Sequence, residues 1–180
     1  MTSGFPRPES DEFDSFYSGY VDLVPQDSDV RDVLRGQLLS LAGLMITVSP
    51  ERAGFRYEQG KWSIKEVIGH LTDVERTLSY RLLRAIRADQ TPIPGFAEND
   101  YVKAGQFDDR ELGDLVSEWE AARHSSLALI ESIHTDMLSN TVVANDAPVS
   151  ALALLYIIAG HTQHHLEILR ARYGVGAASD

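Results

Sequence analysis

Four stretches of this chain repeat apolar residues at spacings of three and four, and none alternates apolar with polar over a useful length. That period belongs to helices buried along one side, so it restricts the fold to helices packed on helices. The first stretch, about Ser28 to Ile46, carries Val30, Val33, Leu34, Leu38, Leu41 and Met45, with Ser28 as the expected N-cap and Pro50 as the stop. The second opens on Ser63-Ile64-Lys65-Glu66, a capping box in which hydroxyl and carboxylate satisfy reciprocal backbone donors, flanked by Trp62 and Val67 as a hydrophobic staple. Its stripe of Ile64, Val67, Leu71, Val74, Leu78, Leu82 and Ile86 runs to about Ala88. The third, with Asp108 and Glu111 as an N-cap and N3 pair, turns Leu112, Leu115, Val116, Trp119, Ala122, Ser126, Ile130 and Ile133 inward to about Met137. The fourth follows a polar connection over Leu138 to Val149, starts after Ser150 and ends near Tyr173 before Gly174.

The expected fold is therefore all-α, a four-helix bundle. Between the second and third helices lie about 19 residues, Asp89 to Phe107, with Pro92, Pro94, Gly95 and Gly105. Extended, they reach roughly 60 Å, while a helix of about 26 residues is roughly 39 Å long. This loop can cross the whole bundle and set the third helix parallel to the second. Structureless loops of that length are often functional. The expected organisation is an N-terminal extension over residues 1–24, partly disordered, a bundle domain over 25–175 and a tail over 176–180.

Composition narrows the chemistry. A net charge of −11 argues against a phosphate backbone as partner, so no nucleic acid is expected. The absence of Cys excludes disulfides, thiolate metal sites and a Cys nucleophile. Met1 to Tyr20 lacks the charged and apolar regions of a signal peptide, and Val149 to Ala159 is too short to span a bilayer. A cytoplasmic protein without membrane attachment is expected.

Of six His, three fall in His161-Thr162-Gln163-His164-His165. At 100° per residue His161 and His165 share the inward stripe with Leu154, Ile158 and Ile168, and His164 sits at its edge beside Ile157. Two imidazoles on an apolar face need partners, because their ring nitrogens are costly to bury alone. An i, i+4 pair also suits a divalent metal, with His70 on the flank of the second helix as the natural third ligand. Spacing alone leaves a hydrogen-bonded core edge and a metal site both open. His124 lies opposite Trp119, and His134 falls in the last turn of the third helix. Asp73 and Glu75 are expected solvated or ion-paired, and Arg81 and Arg84 are candidate grips for an anionic substrate.

Three segments carry a resemblance: YEQGKWSIKEVIGHLTDVER over 57–76, RADQTPIPGFAENDYV over 87–102 and VSALALLYIIAGHTQHHLEILRARY over 149–173. With these, the chain resembles the DinB-like superfamily of metal-binding four-helix bundles, which includes bacillithiol transferase-like and mycothiol-dependent maleylpyruvate isomerase-like proteins. The resemblance implies an up-down-down-up bundle and a metal triad of one His on the second helix and an HxxxH pair on the fourth. Here these are His70, His161 and His165, with His164 a neighbour and Glu167 either at the surface or beside the ligands. It further implies a divalent ion, zinc or nickel first, with manganese or iron also suited. The implied activity is a metal-dependent transferase that activates a small thiol cosubstrate, or water, for attack on a small electrophile, in a homodimer. The alternative is a non-catalytic, stress-related metal- or ligand-binding protein. Phe96, Asn99, Asp100 and Tyr101 in the long loop are candidates for the mouth of the site, and no general base stands out.

Overall fold

In the computed structural model, which describes residues 4–176, the capping box forms as expected. The Glu66 amide donates to Ser63 Oγ at 3.0 Å and the Ser63 amide to the Glu66 carboxylate at 2.7 Å. The helices are α1 (Ser18–Asp22), α2 (Val30–Met45), α3 (Ile64–Ile86), α4 (Glu98–Gly105), α5 (Leu112–Glu131) and α6 (Ala151–Ala171). One antiparallel hairpin, β1 (Thr141–Ala144) and β2 (Ala147–Ser150), precedes α6. Among the described residues no helix is long and apolar enough to cross a membrane.

The four long helices, α2, α3, α5 and α6, form the bundle. Helices α2 and α3 each pack against both α5 and α6, so they occupy opposite corners. Ser63 Oγ donates to Asp108 at 2.5 Å, which puts the starts of α3 and α5 at one end. Tyr173 donates to the Trp62 carbonyl at 2.7 Å and Arg52 to the Tyr173 carbonyl at 2.5 Å, which brings the ends of α2 and α6 there too. Thus α3 and α5 run one way and α2 and α6 the other, the up-down-down-up course that the long crossover allows.

Several expected boundaries move for local reasons. Helix α2 is capped by Asp29 rather than Ser28: its carboxylate accepts the Arg31 amide at 2.9 Å and also grips the Arg31 side chain. Helix α5 starts at Leu112, because Asp108 is engaged by Ser63 and by Arg56 at 2.6 Å and has no freedom to cap. It ends at Glu131, and a 3-10 turn over Thr135–Met137 follows. The crossover is not structureless. It contains α4, and Ile93 exchanges backbone hydrogen bonds with Val143 and Asn145 at 2.9 and 3.0 Å, adding an edge to the hairpin.

The polar connection before the last helix is that hairpin, paired from Thr141 opposite Ser150 to Ala144 opposite Ala147. Its turn residues Asn145 and Asp146 have φ of +54 and +64, the left-handed pair of a type I′ turn, which Asn and Asp tolerate. The described part of the opening segment packs on the bundle. Phe5, Phe13, Val21 and Val24 are buried, α1 packs on α6, and Arg7 donates to the carbonyls of Val21 and Val24. Residues 1–3 and 177–180, including most of the expected tail, lie outside the described residues.

The core divides into two apolar clusters. One, at the hairpin end, holds Leu34, Val74, Leu78, Leu82, Ile130 and every residue from Ala151 to Ala159. The other holds Leu41, Ile64, Val67, Ile68, Leu71, Leu115, Trp119, Leu166 and Leu169. Between them every long helix contributes buried polar groups: Gln37, His70 and Glu75, Arg123 and Ser126, His161, Thr162 and His165. A polar layer at mid-bundle thus has a packed apolar block on each side, each buried Leu or Ile contributing about 1.5–3 kcal/mol.

Candidate metal centre

Helix α3 presents His70 inward, and α6 presents His161 and His165 one turn apart. Ring centroids are 5.1 Å apart for His70 and His161, 4.9 Å for His70 and His165, and 4.7 Å for His161 and His165. One ring nitrogen from each lies within 4.8 Å of the others. All three residues are buried, at 2%, 5% and 8% exposure, so each must stay uncharged or find a partner. Burial, and secondarily the charge that His164 would carry, lowers the His70 pKa to about 4. The pKa values of His161 and His165 fall well below the ordinary value, again through burial first and neighbouring imidazoles next. Neutral imidazoles are the protonation state that ligates a metal.

The donor set fits a divalent ion. Nε2 of His70 and Nε2 of His161 face each other at 3.1 Å, a pair that can share only one proton, while Nδ1 of His165 is buried without a hydrogen-bond partner. The cluster itself contains no carboxylate. Three imidazoles leave coordination positions for an exchangeable ligand, as catalytic rather than structural sites do.

The surroundings orient the rings. Trp62 lies 4.6 Å from His70, and Tyr20 stands edge-on to both His161 and His164 at 5.4 Å. Tyr20 reaches that position because residue 160 is Gly: a Cβ there would sit 1.9 Å from the Tyr20 carbonyl oxygen. Burial and the Glu98 carboxylate raise the Tyr20 pKa, and burial raises that of Glu98, so α4 carries an acid close to this side of the cluster. A pocket of about 360 Å³ opens onto His165, lined by Tyr57, Trp62, Asn99 and Tyr173 among others. Burial pushes the Tyr173 hydroxyl up to about 12, which keeps it a donor to Trp62. A larger hollow, about 460 Å³ between the end of α2 and the start of α5, has no histidine on its walls.

The remaining expected residues sort by position. Asn99 lines the pocket. Phe96 stacks with Tyr101 at 5.0 Å and packs against the core, and neither Asp100 nor Tyr101 lines the pocket. His124 is exposed, and His134 lies beyond α5, at the start of the 3-10 turn. Glu167 is exposed and accepts from Gln163 at 3.0 Å. Arg84 is held by Tyr80, Asp89 and the Thr91 carbonyl. Arg81 is buried, and its Nε has no partner.

Glu75 is ion-paired, and it is buried rather than solvated. Its partner, Arg123, has no exposed surface and was not among the expected residues. Arg123 donates to both Glu75 oxygens at 2.9 and 2.8 Å, to the Leu34 carbonyl at 3.1 Å, and to Gln37 Oε1 and Thr162 Oγ1 at 2.8 Å each. That uses all five guanidinium donors. Gln37 passes a further bond to the Ala159 carbonyl at 2.8 Å. The one sequence signal for Arg123 is its place between Ala122 and Ser126 on the inward stripe of α5.

The chain matches the DinB superfamily model over residues 32–169. Among solved structures it is similar to YfiT from Bacillus subtilis, described as a probable metal-dependent hydrolase with an unusual four-helix bundle topology. The two are 14% identical, with 96% of each chain covered and a TM-score of 0.69. It is also similar to the mycothiol-dependent maleylpyruvate isomerase, at 17% identity and TM-score 0.68, covering 89% of this chain and 65% of that one. No curated protein sequence matches. At these identities the likeness of structure shows the fold, and the sequence model, spanning well over half of the chain, shows the lineage: this chain belongs to the DinB superfamily.

Proposed function

We propose that the protein is a divalent-metal-dependent transferase in which His70, His161 and His165 hold the ion and a small thiol cosubstrate, or water, attacks a small electrophile. The observation that carries this reading is the convergence of three buried, neutral imidazoles, one of which, His165, lines a pocket sized for a small ligand. When bound, the ion supplies Lewis acidity and lowers the pKa of the thiol or water it meets. The chain contributes the rest: Trp62 and Tyr20 pack against the His70 and His161 rings and hold them in place. With no Cys in the chain, sulfur chemistry needs an external thiol. The dependence of the related isomerase on mycothiol supports that source. Zinc and nickel suit three imidazoles best, with manganese and iron next. A homodimer is part of the proposal, checked by light scattering.

Elemental analysis of untagged protein tests the site. We expect about one divalent ion per chain, lost in His70→Ala and in His161→Ala. Retention of the ion in both variants, or its absence from the native protein, overturns the triad. Turnover of a model electrophile by zinc- or nickel-loaded protein with a panel of small thiols tests the reaction. If the panel is silent while metal removal lowers only the melting temperature, the non-catalytic binding reading replaces it.

A further inference from the structure

A buried arginine ordinarily comes with its counter-charge, as Arg123 does with Glu75. Arg81 does not. It is 4% exposed, and among the described residues its guanidinium makes no hydrogen bond, ion pair or ring contact. It lines a small cavity at the hairpin end of the bundle, about three turns along α3 from His70, or about 16 Å at the rise of a helix. The other walls are Leu154 and Ile157 of α6, residues of both hairpin strands, and Asp14 and Tyr17 of the opening segment. No histidine is among them, so the cavity is separate from the metal centre.

Size and charge together restrict what can sit there. The space is about 10 Å³, enough for one water-sized body and too little for a carboxylate, phosphate or sulfate. The charge to be met is a whole unit, because a guanidinium keeps its proton, and apolar walls make an uncompensated cation unfavourable. A water molecule brings a dipole to that site but no charge. Asp14 is exposed, and its carboxylate caps the turn that follows by accepting the Phe16 amide at 2.8 Å. We infer that this cavity binds one monatomic anion, chloride in ordinary buffers, against the Arg81 guanidinium. A halide is spherical, needs no donor geometry beyond the guanidinium edge, and sheds its water more readily than a smaller anion does. In a chain of net charge −11 such a site draws no help from the surrounding field, so it depends on Arg81.

The melting temperature of the full-length protein in sodium chloride, bromide and fluoride at equal ionic strength tests the inference. At about 0.2 M salt the native protein should melt about 2–4 °C higher in chloride or bromide than in fluoride. Ordinary salt effects run the other way, since the more strongly hydrated anion is the more excluded from protein surface. Arg81→Met should abolish the difference. A halide held at the metal centre would act alike in both proteins, so the comparison isolates the cavity. Asp14→Asn should keep or widen the difference, because removing a negative charge at the wall favours an anion. No halide preference in the native protein, or the same preference in Arg81→Met, overturns the inference. So does a preference that appears only in Asp14→Asn, which would make that carboxylate, through a water, the native counter-charge. If Arg81→Met fails to fold, crystals of the native protein grown in bromide decide. Anomalous scattering beside the Arg81 guanidinium supports the site, and bromide only elsewhere overturns it.

Discussion

Two buried arginines separate what pairing does from what burial does. Arg123 spends every donor, and Glu75 receives two of them, so removing either partner strands a charge between two apolar blocks. Arg123→Met should cost about 3–5 kcal/mol in denaturant unfolding. The double variant Arg123→Met with Glu75→Leu should recover most of that loss, because a buried pair and a well-packed apolar replacement are often close in energy. A double variant no better than the single one would mean that the network is needed for the fold itself. Arg81 differs: it is buried and its Nε has no partner, so Arg81→Met should cost far less than Arg123→Met in the same unfolding measurement. His161 and His165 were legible in the sequence because imidazoles on an apolar stripe stand out, whereas His70, on the flank of its helix, joined them through the family resemblance. Arg123 was not, since an arginine in a helix of mixed charge reads as solvated until the facing helix is known.

At the scale of elements, legibility followed length and local chemistry. Helix α3 was placed to its first residue because a capping box is a self-contained set of hydrogen bonds, while Asp108 failed as a cap because Ser63 and Arg56, distant in sequence, claim it. Helix α4 and the hairpin were missed since eight residues and two four-residue strands carry too little periodicity. What holds them is contact: Ile93 against the hairpin edge, and Phe107 stacked over Gly69, where a Cβ would lie 2.3 Å from the ring. Two helical glycines make the same point as a matched pair. Gly43 of α2 is exposed with open space around it, so Gly43→Ala should stabilise by about 0.5–1 kcal/mol. Gly160→Ala meets the Tyr20 backbone instead. It should cost about 1–3 kcal/mol or push α1 from α6, seen as altered near-ultraviolet dichroism and melting temperature.

For the whole molecule, the polar layer at mid-bundle couples stability to pH in a window of its own. The His70 pKa in the folded chain is about 4, against an ordinary value of 6.5 approached on unfolding. Between those values the unfolded chain binds the proton and the folded one does not, so stability is complete above about pH 6.5 and lost as pH falls toward 4. His70 alone accounts for about 3 kcal/mol across that interval, and His161 and His165, shifted in the same direction, add to it. The carboxylates held low by cationic or hydrogen-bond partners, Asp29, Asp108 and Glu118 together with Asp89 at about 2, act lower. Their stabilisation is present above their ordinary range near 4 and lost below it. The two windows barely overlap. Chelator-treated protein should therefore lose stability in urea titrations between pH 6.5 and 4.5, before the carboxylates that are held low titrate. His70→Leu should flatten that part of the curve by removing one of the protonating groups, at the expense of metal binding. A native curve that is level over this interval would show that the three imidazoles are not held neutral between the two apolar blocks, and the ligand set would lose its physical basis.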